Sequence, residues 1–173
     1  HDIPNTVFQA TEALASENLW ALTLHCGGGR KMLEEACRGK EKAGSRTNLL
    51  GVTVLTSFDD ASWAEVAPGC SLPDALEKRA ALCRETGIDG IVCSPLDLSV
   101  VRAAGEGLFT VVPGVRPASA DDDQARVATP QKTIANGADY IVVGRPILNA
   151  PNRIAAVRNI AASIEEGLKC RSL

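Results

Sequence analysis

"DYIVVGRP" (139–146) sets four consecutive apolar residues between an acid and a Gly-Arg-Pro turn. A strand with one wet face would alternate apolar and polar positions, whereas an unbroken Val- and Ile-rich run suits a strand covered on both faces. The pattern recurs upstream in "WALTLHC" (20–26), "LLGVTVLTS" (49–57), "DGIVCS" (89–94) and "LFTVVPG" (108–114). Between these runs lie "GRKMLEEACRG" (29–39), "LPDALEKRAALCRETG" (72–87) and "TPQKTIANG" (129–137), and after the last comes "NRIAAVRNIAASIEEG" (152–167). Their apolar residues fall three or four apart, and the closing glycines read as helix ends. Strands alternating with helices make βαβ units and a parallel sheet. Five such units follow a leading loop and helix.

No G-x-G-x-x-G follows any run, so a dinucleotide fold has no fingerprint here. "HCGGGRK" (25–31) reads as a tight βα turn. Neither a linker nor a low-complexity tract divides the chain, which predicts a single domain over 1–173. The opening "HDIPNTV" (1–7) reads as the interior of a loop rather than a natural start. Five units behind a mid-loop opening fit about the last five of the eight βα units of a TIM (β/α)8 barrel, an α/β fold.

The totals narrow the class. With 173 residues, 45% of them apolar and a formal net charge of -3, the chain supports a globular core and lacks the basic balance of a nucleic-acid binder. No apolar run approaches the ~18 residues a bilayer span needs, so no membrane partner is expected. The six cysteines form no C-x-x-C pair, and Cys26 and Cys93 lie inside apolar runs. That is the usage of reduced thiols in a cytoplasmic protein rather than of a disulfide frame or a zinc site.

In a barrel, function is read just past the C-terminal end of each strand. The first run ends at His25, the second at Thr56 and Ser57, and the third at Ser94. A lone Ser or Thr there reads first as a helix N-cap, and His25 beside its glycines reads as structural. The last two ends differ in kind. Arg116, Gln124, Arg126 and Arg145 fall in the two final loops, with Gly144 beside the last of them. Forked donors and close backbone approach are what a phosphate requires. The acids of "ADDD" (120–123) read as solvated, and no metal site is expected.

"HDIPNTV" (1–7), "VTVLTS" (52–57), "DGIVCS" (89–94), "VVPGVRP" (111–117), "DDQARVATP" (122–130) and "GADYIVVGRPI" (137–147) together resemble the orotidine 5′-monophosphate decarboxylase family, in order, from His1 to about Ala162. The resemblance implies a cytoplasmic TIM-barrel homodimer with shared active sites, needing neither metal nor organic cofactor. Its reaction converts orotidine 5′-monophosphate to UMP in pyrimidine biosynthesis. The family's third strand ends in D-x-K-x-x-D-I-P-x-T. Asp2 matches the second Asp, which reaches into the neighbouring active site, and Thr6 matches the Thr that contacts the nucleotide there. Ser94 resembles the serine that bonds the pyrimidine edge, and Thr56 a further substrate contact. Pro113 and Arg116 belong to the loop beside the base, where Val115 replaces the family's Ile. Gln124 resembles the residue bridging base and phosphate, and Gly144 with Arg145 the phosphate grip.

The motif's first Asp and its Lys would precede His1, as would the N-terminal three strands. Two alternatives stand beside the decarboxylase: a fragment inactive as it is, and a metal-dependent sugar-phosphate decarboxylase or synthase of the same superfamily.

Overall fold

The structure is a computed structural model, and it describes residues 1–117 and 128–171. After helix α1 (Pro4–Ala15) come β1 (Ala21–His25), α2 (Gly29–Lys42), β2 (Asn48–Val52), α3 (Asp60–Val66), α4 (Leu72–Thr86) and β3 (Gly90–Val92). The second part holds α5 (Leu98–Ala104), β4 (Phe109–Val112), α6 (Pro130–Ala135), β5 (Tyr140–Ile141), α7 (Arg145–Leu148) and α8 (Arg153–Arg171). All four strand pairings are parallel, in the order β1-β2-β3-β4-β5. Each apolar run of the sequence therefore supplies one strand, and the C-terminal ends of all five share a rim.

Side chains of a strand alternate between faces. Leu24, Leu49, Ile91, Cys93 and Val112 point to the helical side, where they join Met32 and Leu33 of α2, Leu76 and Ala80 of α4, and Ile134 of α6 in one buried cluster. The opposite face carries Val92 and Ser94 from the third run and Phe109 and Val111 from β4. Four interstrand spacings would hold the edges of a flat sheet about 19 Å apart. Yet the ring of Trp20, just before β1, lies 5.0 Å from that of Tyr140 in β5, and Phe109 lies 5.7 Å from Tyr140. The sheet is therefore curled into a trough, and among the described residues β1 and β5 are its open edges.

Two glycines predicted to end helices do not. Gly39 lies inside α2, where a Cβ would sit 2.5 Å from the Phe8 carbonyl of α1. Gly167 lies inside α8, where a Cβ would sit 2.6 Å from the Gln131 carbonyl of α6. Both are places where one helix backbone meets another, which a bare Cα permits. Gly87 does end α4, with the left-handed φ of 80° that glycine adopts at no steric cost.

Under the sheet, two aspartates act alike. Asp89 precedes β3, accepts the Leu49 N–H of β2 at 2.7 Å and pairs with Lys40 at 2.7 Å. Asp139 precedes β5, accepts the Thr110 N–H of β4 at 2.9 Å and pairs with Arg102 and Arg171 at 3.2 and 3.3 Å. Burial alone would raise the Asp139 carboxyl's pKa, but the bonds from Thr110, then Arg171 and Arg102, outweigh it and hold it below the ordinary value. A carboxyl depressed on folding stabilises above its unfolded pKa of about 3.9 and loses that contribution as pH falls through the folded value. Asp139→Asn should therefore cost about 1–3 kcal/mol near neutrality, and the deficit should shrink below about pH 4. Urea titrations at both pH values check this, and a deficit independent of pH would refute the assignment.

Among the described residues the cysteines are free. Cys26 and Cys83 meet at 3.2 Å over Gly51, whose Cβ would fall 2.3 Å from the Cys83 sulfur. Its hydrogen bond with Cys26, followed by burial, pushes the Cys83 thiol up and keeps it protonated.

Candidate functional site

The strand ladder sets the site's spacing. Cys93 N–H donates to the Val111 carbonyl at 3.4 Å, and Val142 N–H to the Val112 carbonyl at 2.9 Å. Ser94, Pro113 and the 143–145 turn thus leave three adjacent strands on one rim. Beyond them, Pro117 and Pro146, each following an arginine of interest, line one cavity of about 390 Å³ with Thr129, Pro130 and Asn159. The described ends of the two loops thus meet at one cavity, which Arg116, Gly144 and Arg145 do not line.

Ser94 is 0% exposed, and among the described residues its Oγ has no hydrogen-bond partner. Leaving a buried hydroxyl unpaired costs about 1–3 kcal/mol, so the group is maintained against stability. It is not a helix cap. The residue capping α5 is Asp97, and the one capping α3 is Asp59, which forms a capping box with Ser62. The capping reading of Thr56 and Ser94 is thereby removed. Thr56 is half-buried in the turn after β2.

Arg116 is only 6% exposed. Its backbone N–H donates to the Ala128 carbonyl at 3.0 Å, and its Nη1 to the Val115 carbonyl at 3.1 Å. Far from being a solvated surface charge, it sits within the protein behind the β4 rim. Gly144 is exposed, with open space where a Cβ would be, and its carbonyl accepts the Ile147 N–H at 2.9 Å. Arg145 follows it at the exposed start of α7. Gln124, Arg126 and the acids 121–123 lie outside the described residues.

At the other side of the rim, Asp2 is exposed, and its Oδ1 accepts the Ile3 N–H at 2.6 Å. It does not cap α1, whose N-cap is Ile3. Thr6 is exposed on the first turn of α1. His1 and His25 stack with centroids 6.0 Å apart, and burial, with the positive charge of Arg79, lowers the His25 pKa.

Sequence reading missed two residues that organise the rim. Arg79, on α4, donates to the Thr53 carbonyl and covers the Trp63 ring at 5.0 Å. Asp97 is 6% exposed and bonded to Ser94. Asp97 had a readable signal, an acid three residues after a serine at a strand end. Arg79 had none, being one arginine among others on an amphipathic helix.

All six lysines of the sequence lie within helices: Lys31, Lys40 and Lys42 on α2, Lys78 on α4, Lys132 on α6 and Lys169 on α8. Among the described residues, no group of three His, Cys, Asp or Glu could hold a metal ion, and no helix is long and apolar enough to cross a membrane.

Residues 1–160 match the model of the "Orotidine 5′-phosphate decarboxylase / HUMPS family". Over 166 residues the chain is 48% identical to an orotidine 5′-phosphate decarboxylase of Anaeromyxobacter sp. (strain K), covering 95% of this chain and 72% of that protein. It is 40% identical over 167 residues to the enzyme of that name from Hahella chejuensis, with coverage of 95% and 72%. A crystal structure of orotidine 5′-phosphate decarboxylase from Lactobacillus acidophilus superposes with a TM-score of 0.80 at 33% identity, over 95% of this chain and 71% of that one.

Proposed function

Because the chain belongs to the orotidine 5′-phosphate decarboxylase / HUMPS family, we propose that it serves the decarboxylation of orotidine 5′-monophosphate to UMP in pyrimidine biosynthesis. The observation that carries this reading is the buried, unpartnered hydroxyl of Ser94, which stands on the same rim as Pro113, Arg116, Gly144 and Arg145.

Removing CO₂ from orotidylate leaves negative charge on a ring carbon without an ordinary electron sink. Fixed charges must stabilise that charge and supply the proton. In this reading Ser94 holds the pyrimidine edge, with Thr56 and Pro113 beside the base and Arg116 behind it. Gln124 bridges towards the phosphate, which Gly144 and Arg145 grip. Asp2 and Thr6 act in the neighbouring site of a cytoplasmic homodimer, where Asp2 orients the lysine that meets the developing carbanion. The phosphate lies far from the reacting carbon, so its binding energy acts by fixing the substrate and excluding water.

The required ammonium belongs at a strand end, and the lysines of this chain are all helical. A polypeptide of His1–Leu173 alone is therefore expected to leave orotidylate unconsumed. An enzyme that also carries the D-x-K part of the family motif is expected to consume it, with no loss on chelation of divalent cations. The fall in orotidylate absorbance measures both. Turnover by the isolated polypeptide refutes the lysine assignment. A requirement for Mg²⁺ would favour a sugar-phosphate decarboxylase or synthase instead.

A further inference from the structure

Asp97 stands at the N-cap of α5, where an acid ordinarily accepts N–H bonds from its own helix. Its carboxylate makes no such bond. It turns back instead and accepts the Ser94 N–H at 3.3 Å, while the Asp97 N–H donates to the Ser94 carbonyl at 3.1 Å. The Asp97 carbonyl in turn accepts the Val101 N–H at 3.0 Å, which ties this turn to the helix. On the upstream side, Cys93 is held to Val111 in the sheet ladder. The backbone of Ser94 is thus fixed from both directions, while its hydroxyl has no partner among the described residues. A carboxylate withdrawn from water is costly unless its bonds are made.

We propose that Asp97 is a positioning residue: by clamping the Ser94–Asp97 turn it holds the Ser94 hydroxyl in the orientation that meets a polar edge of the pyrimidine. The inference rests on the reading of Ser94 as a nucleotide contact. Its consequence is that Asp97 matters to the reaction only while Ser94 carries a hydroxyl.

A double-mutant cycle in the full-length enzyme tests this, read as kcat/KM for orotidylate and Kd for UMP. Ser94→Ala and Asp97→Ala are each expected to lower kcat/KM by about 10- to 100-fold, and the double variant to be no worse than Ser94→Ala. Losses that multiply would show that Asp97 acts elsewhere and would overturn the proposal. Asp97→Asn keeps an oxygen able to accept the Ser94 N–H, so its kcat/KM is expected within about threefold of wild type. This variant decides the matter if Asp97→Ala does not fold, since a fall as deep as that of Ser94→Ala would overturn the clamp. A wild-type enzyme that neither turns over orotidylate nor binds UMP would instead sink the functional reading, and the inference with it. Wild-type activity with multiplied losses sinks the inference alone.

Discussion

Asp2→Ala, made in the full-length enzyme, is expected to lower kcat by at least about 100-fold while leaving the affinity for UMP nearly unchanged. Removing one preorganised electrostatic group from a reacting centre costs on the order of 10²–10³ in rate. UMP has no carboxylate and develops no carbanion, so an array that acts on those charges contributes little to its binding. The residue is exposed, and among the described residues its hydrogen bond is to the adjacent Ile3 N–H, so folding should not depend on it. If the site is shared between protomers, mixing Asp2→Ala with a variant disabled at the phosphate grip should restore part of the activity through heterodimers. Full activity of Asp2→Ala would remove Asp2 from the mechanism. Absence of complementation, with both variants dimeric, would remove the sharing.

The second large effect is expected at Arg145. A charge-assisted contact to phosphate is worth about 1.5–3 kcal/mol. Arg145→Ala should therefore raise KM and lower kcat/KM by about 10- to 150-fold. Loss of UMP affinity should accompany it, whereas orotidine, which lacks the phosphate, should be handled equally by both proteins. That comparison separates a grip on phosphate from general damage. The exposed position of Arg145 at the start of α7 makes a stability change a poor explanation for such a loss. Unchanged kinetics would refute the phosphate assignment.

The strands were legible because a strand covered on both faces needs consecutive apolar residues, which five runs supply. Their lengths were not, since a run such as 49–57 continues past Val52, where pairing with the next strand ends. Helices α3 and α5 span 7 residues each and α7 spans 4, too short to show a helical period. Gly39 and Gly167 were misread because a helix-terminating glycine and a close-packing glycine look alike until the neighbouring helix is in place. At the site, the arginines and Gly144 stood out as residue types suited to phosphate. Ser94 and Thr56 did not, because a cap and a ligand contact share the same residue and position. The choice depended on Asp59 and Asp97 occupying the cap positions themselves, a fact of chain geometry rather than of composition.

The rings of Trp20, Phe109 and Tyr140 crowd the end of the trough away from the strand termini that carry the polar groups. They clasp the two edges of the sheet, which share no ladder among the described residues. Loosening that clasp is expected to let the sheet flatten, spreading the strand ends that carry Ser94, Pro113 and Gly144.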